Sequence, residues 1–427
     1  MEKAPDTLGI YVHIPFCASK CGYCDFYSLA GKESLMDKYQ DALLYSIREN
    51  RHVLTKYIVD TIYFGGGTPS YYGADRLCEI LEEFKENGNV LLSSEITVEC
   101  NPDSMDYQSL KKLRAAGVNR ISIGMQSANN ELLRILGRRH TFDQVKRAVN
   151  NARDAGFGNI SLDLMYGLPG QMKADWAETL SHAISLHPEH ISAYALTLEE
   201  GTPMYAKYYG SEFMPSEDDV ADMYCYTAEM LTRYGYTQYE ISNFAIEGFE
   251  SAHNNKYWNL DDYMGFGPGA HSFVGNVRYS YIKDLKKFID CTLNGRSDVI
   301  DECDTIEPLE RAVEYIMLSM RTTRGISEDD YHKKCQADWR PIKPVLEIFK
   351  SKGWVEQDGK SWRFTVPGYL SSNTLINIML EAQTTGHVES VPWIKEAYKA
   401  EEKIAMPRTE EEEFIEIYKA KLSAKKL

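Results

Sequence analysis

The chain has 427 residues, 43% of them hydrophobic and 26% charged, the balance of a globular protein large enough for two or three cores. Its formal net charge of -16 argues against a nucleic-acid backbone as partner. The opening MEKAPDTLGIYVHIPF has no apolar run behind a basic stretch, and no later segment is long and apolar enough to span a bilayer. The expectation is therefore a cytoplasmic protein with at most peripheral membrane contact.

The first half alternates short β-rich runs with amphipathic stretches. Strands are expected at Ile10–His13, Thr61–Phe64, Ile96–Glu99, Arg120–Gly124, Ile160–Leu164 and Ile191–Ala195. Helices are expected between them, around Lys38–Asn50, Arg76–Glu86, Gln108–Ala116, Phe142–Ala155 and Trp176–Leu186, with Gly117, Gly156 and Gly158 placed as helix stops. Six βα repeats predict a parallel α/β barrel, and because a complete one needs eight, the barrel is partial, of (β/α)6 type. A helix around Asp218–Tyr234 follows, then a mixed region rich in glycine and aromatics to about Tyr281.

From Thr305 the texture changes. Helices are expected at Glu307–Arg321, Ser327–Lys334 and Pro344–Lys352, then a hairpin through Gly359, and a closing helix at Tyr369–Glu381. That order resembles a winged-helix module, one that packs on the barrel rather than on DNA given the acidic charge. Residues from about Thr384 to Leu427 read as a charged, solvated helical tail. The expected division is thus a partial barrel (1–240), a mixed linking region (241–304), a winged-helix-like domain (305–383) and a tail (384–427).

Nine cysteines are present; Cys78, Cys100, Cys225, Cys291, Cys303 and Cys335 are scattered, whereas Cys17, Cys21 and Cys24 form a C-x3-C-x2-C run. The run directly follows the first strand, at the barrel end where such folds carry their chemistry. Thiolates are ligands for iron–sulfur clusters and for zinc, and a disulfide is a further use of two of them. A closed zinc site needs a fourth ligand, and Asp25 and Phe26 supply no fourth thiolate. Three ligands on a four-iron cluster leave one iron open to a small molecule. Gly65-Gly66-Gly67-Thr68-Pro69 follows the second strand and lets backbone approach a ligand closely, but it lacks the Gly-Lys-Ser/Thr of a phosphate loop. Glu99, Gln126 and Asp163 recur at or just after strand ends, as a shared ligand site would require.

With these motifs the chain resembles the radical S-adenosylmethionine (SAM) superfamily. Within it the chain is similar to the oxygen-independent coproporphyrinogen III oxidase group and its haem-chaperone relatives. Tyr11-Val-His-Ile-Pro-Phe-Cys17 carries the likeness, which runs from about Leu8 to Glu381. The resemblance implies a [4Fe-4S] cluster on Cys17, Cys21 and Cys24. It implies Tyr11, Gly66 and Glu99 at one SAM. Tyr23, Gly67, Thr68, Gln126, Arg138, Asp163 and Ala195 match the positions that hold a second SAM in the oxidase. The choice between one SAM and two stays open.

Phe26 stands where the oxidase pattern has a further cysteine, and this favours the haem-chaperone branch. His253-Asn-Asn-Lys-Tyr257-Trp258 resembles the H-N-x-x-Y-W stretch of that branch, which implies haem contact by His253, Tyr257 and Trp258. Gly265-Phe-Gly-Pro-Gly-Ala-His271-Ser272 resembles a second family segment, with His271 ranked below His253. The expected function is a haem chaperone, tied to porphyrin biosynthesis, that delivers haem to client proteins such as respiratory enzymes. A homodimer is compatible with it. The alternatives are oxidative decarboxylation of coproporphyrinogen III and a radical SAM reaction on another tetrapyrrole, so catalytic activity stays open.

Overall fold

The computed structural model describes residues 6–391. The six expected strands form as Thr7–Ile14, Ile58–Gly66, Asn89–Cys100, Arg120–Gln126, Ile160–Tyr166 and His190–Ala195, parallel and adjacent in that order. Their connecting helices include Met36–Glu49, Ala74–Asn87, Tyr107–Ala116, Phe142–Asp154 and Lys173–Ser185. This is the partial barrel that the βα repeat predicts.

A strict two-residue alternation sets the two faces of these strands. Val12, Ile62, Phe64, Ile96, Val98, Ile121, Ile123, Leu162 and Leu164 are fully or almost fully buried and pack with the apolar stripes of the helices. The intervening positions are polar and bond to one another. Tyr63 donates to Glu99 (2.8 Å), Ser122 donates to Asp163 (3.0 Å), and Ser161 meets Nδ1 of His190 (2.8 Å). A barrel interior is usually filled with branched apolar side chains. Here it is a hydrogen-bonded polar layer, with the fully buried Arg120 inside it.

The stretch expected to be a mixed linking region is instead built into the same sheet. Tyr263–Phe266 pairs in parallel with the first strand, Gly9 opposite Tyr263 and Val12 opposite Phe266. His271–Val274, Val277–Tyr281 and Ile300–Thr305 then add antiparallel strands, while Asn243–Ala245 and Thr237–Gln238 extend the other edge, giving twelve strands. Gly265 explains the tight return. A Cβ there would lie 2.3 Å from the carbonyl oxygen of His271, so only glycine lets the chain double back this closely.

The first compact unit ends at Ile306 and the second begins at Glu307. The second holds helices Pro308–Ser319, Glu328–Cys335 and Lys343–Ser351, and a three-stranded antiparallel sheet in the order Ile326–Ser327, Ser361–Phe364, Val355–Asp358. Tyr315, Ile316, Leu346, Phe349, Trp362 and Met379 form its core. The expected closing helix is two helices, Val366–Leu370 and Ser372–Thr385, separated at Ser371. Among the described residues no helix is long and apolar enough to cross a membrane. The expected helical tail lies, from residue 392 on, outside the described residues.

Candidate functional site

A cavity of about 620 Å³ opens at the C-terminal ends of the parallel strands. Cys17, Cys21 and Cys24 line it, together with Tyr23, Gly66, Gly67, Thr68, Glu99, Gln126, Arg138, Asp163 and Ala195. Tyr11 does not line it. Its phenol bonds to Nδ1 of His13 (3.0 Å) and its ring lies beside that of Tyr63, centroids 6.3 Å apart.

The glycine run fixes the loop that carries the cysteines. Gly67 donates to Ile14 (2.8 Å), Thr68 donates to Phe16 (2.8 Å), and a Cβ on Gly67 would lie 2.8 Å from both of those carbonyl oxygens. The Thr68 hydroxyl then reaches Sγ of Cys17 at 3.4 Å. All three thiols are free, and burial pushes those of Cys17 and Cys24 up from the usual thiol range. Among the described residues no three His, Cys, Asp or Glu side chains converge on one point as a single metal ion requires. The iron ligands of a cluster sit on separate corners, so spread thiols around a cavity suit it.

Acidic and basic side chains both line the cavity. Burial lifts the Glu99 carboxyl to about 7, against the opposing bonds from the Tyr63 hydroxyl and the Gly66 amide (3.2 Å). Burial also raises Asp163, whose two oxygens both accept from Ser122. Arg138 donates to the carbonyl of Gly124 (2.8 Å), to Asn101 (3.2 Å) and to Sγ of Cys21 (3.6 Å), and its buried Nε has no partner. Gln126 adopts φ +62° and accepts from the Tyr194 hydroxyl at 3.2 Å. An orphaned guanidinium N–H, two raised carboxyls and three free thiols around one cavity fit a cluster and a zwitterionic, cationic cofactor.

Sequence reasoning missed Tyr63, Ser122 and Tyr194 in this site, and the buried Arg120 below it. Their signal was the polar half of the strand alternation, which is legible once both faces of the strands are known to be buried.

The stretch expected to meet haem is placed elsewhere. Ala252–Trp258 is a helix whose first amides, those of Ala252 and His253, donate to the Glu95 carboxylate at 3.0 Å. Lys256 pairs with Asp60 at 2.8 Å. His253 is 1% exposed, and both ring nitrogens are engaged, Nδ1 with Thr61 and Nε2 with Tyr257, each at 2.8 Å. Its ring stacks on Tyr63, centroids 5.2 Å apart, and burial lowers its pKa to about 3. Tyr257 stands edge-on to His253 and to Tyr263, and Trp258 is half-buried. In this geometry His253 has no nitrogen free for iron, and the stretch closes the base of the barrel. Replacing His253 with Ala should cost about 2–4 kcal/mol, since it leaves a void and two unpaired hydroxyls. Urea unfolding checks the cost, and a haem titration of the same variant should match that of the unaltered protein.

A model of the Radical SAM superfamily matches residues 11–183, and one of the HemN C-terminal domain matches residues 306–370. The chain is 32% identical to the "Heme chaperone HemW" of Buchnera aphidicola, over 89% of this chain and 100% of that one. It is 34% identical to the Bacillus subtilis protein of the same name, over 87% and 98%. The fold is similar to that of the coproporphyrinogen III oxidase HemN of Escherichia coli, with a TM-score of 0.75 at 23% identity, covering 90% of this chain and 91% of that one.

Proposed function

Because the chain belongs to the radical SAM family of HemW haem chaperones, we propose that it binds haem and passes it to haem-requiring proteins, with a SAM-chelating [4Fe-4S] cluster at the barrel mouth. One observation carries the second half. The three thiols and every expected SAM residue but Tyr11 line one cavity. Cys17, Cys21 and Cys24 would hold the cluster. When bound, it supplies an open iron for the amino and carboxylate groups of SAM and an electron for the sulfonium.

The chain's own residues do the rest. Glu99 and Asp163 present negative charge to the ammonium and sulfonium. Arg138 presents positive charge to the carboxylate. Gly66 and Gly67 bring backbone close to the ligand, and Gln126 is held in its strained conformation by Tyr194. Thr68 ties this loop to Cys17. Entry of a cation beside Glu99 returns its carboxyl to the ionised form.

The haem half rests on family membership and on Phe26. That side chain is 70% exposed at the cavity rim, where a thiol would stand in the oxidase pattern. A reaction needing a thiol at that point has none here. We place the protein in the cytoplasm, acting on haem and haem-dependent clients. The test is a haem titration of anaerobically reconstituted protein. Saturable binding near one haem per chain is expected, and absence of saturation would overturn the reading.

A further inference from the structure

We propose that a second cavity beside the cysteine loop receives the carboxylates of haem; this rests on the haem-binding reading above. The segment 24–29 lines both cavities. Cys24, Asp25, Phe26 and Ser28 face the larger one, and Tyr27 and Leu29 face the smaller, of about 200 Å³.

The smaller cavity combines cations with an apolar floor. Lys32, Lys283 and Lys286 line it, and none of the three is ion-paired among the described residues. Leu29 and Leu35, both half-buried, supply the apolar lining, while Leu285 is itself buried. The single acid there, Asp284, is already engaged, accepting the Lys287 amide at 2.9 Å to cap the helix Leu285–Leu293.

The walls are fixed. The Tyr27 hydroxyl accepts the Leu285 amide at 2.7 Å, and the Tyr27 carbonyl meets Nε2 of the buried His13 at 2.8 Å. The Lys283 stem lies against Gly269, where a Cβ would come within 3.2 Å of its Cγ and 3.8 Å of the Tyr27 Cβ.

Three unpaired cations on a chain of net charge -16 mark a place for an anion. The leucines narrow the class. Phosphate has no apolar surface to set on them, whereas haem is a flat apolar body with two carboxylates on one edge. Phe26, exposed on the same segment, offers a ring face to that body.

The test uses the full chain, reconstituted anaerobically, titrated with haem and with haem dimethyl ester, whose carboxylates are blocked. Lys283→Glu with Lys286→Glu is expected to weaken haem binding about tenfold or more. Lys283→Arg with Lys286→Arg should retain it, and the ester should bind all three proteins alike. Unchanged cluster absorbance in the variants shows that the fold is kept. Haem affinity equal to that of the unaltered protein in the Glu pair would overturn the pocket while leaving haem binding intact. So would loss of inorganic phosphate binding alone in that pair, which would make this a simple anion site. Failure of the unaltered protein to take up haem would remove both the function proposed above and this pocket.

Discussion

Glu99→Gln is expected to abolish SAM binding and to make the unliganded protein more stable at pH 8. The two effects share a cause. Burial lifts the Glu99 carboxyl from its ordinary 4.5 to about 7. Between those values the folded chain holds a proton that the unfolded chain has released. Stability from this group is therefore complete below about pH 4.5 and is lost as pH rises through about 7. A shift of that size corresponds to roughly 3 kcal/mol across the window. Gln keeps an acceptor for the Tyr63 hydroxyl and removes the buried charge. Glu240, 1% exposed and also raised to about 7 by burial, retains its own share of the pH dependence. Relative to the unaltered protein, the variant should therefore gain unfolding free energy as pH rises from 5 to 8, measured in urea. Calorimetry with SAM should show no binding. An unchanged pH slope would mean that Glu99 is ionised in the folded protein.

Cys21→Ala is expected to remove the cluster. A cluster held by three thiolates has no spare protein ligand, so loss of one leaves two irons without protein contact. The side chain also accepts from Arg138 at 3.6 Å, so the same change removes one of the partners of that guanidinium. Iron per chain and the visible absorbance of anaerobically reconstituted protein should fall to background. Cys225→Ala, which alters a cysteine outside the cavity, should leave both unchanged. Full iron content in the Cys21 variant would remove these thiols as cluster ligands.

Much of this fold was legible because each parallel strand carries its own signal. Arg120-Ile-Ser-Ile-Gly alternates polar and apolar residues, and the following loop carries its functional group just past the strand end. The cysteine run and Gly65–Gly67 were legible for the same local reason.

What escaped depends on partners distant in sequence. Tyr263–Phe266 is too short and too glycine-rich to declare itself, and it is a strand because Gly9–Val12 pairs with it. His253 through Trp258 carries the chemistry of a haem ligand set in sequence. Thr61, Tyr63 and Glu95, from two strands far upstream, engage that stretch instead. Tyr11 shares the register of the site residues but turns its phenol to His13. The lysine cavity joins residues about 250 positions apart, so no local motif announces it.

The most direct test of the central claim is a paired anaerobic measurement. Haem-loaded protein is mixed with an apo-haem protein, and transfer is followed in the visible spectrum. In parallel, the same preparation is given SAM, a reductant and coproporphyrinogen III beside an active oxidase. The account predicts that haem moves to the acceptor and that no decarboxylated porphyrinogen forms. Stoichiometric decarboxylation with 5'-deoxyadenosine, and no haem transfer, would contradict it.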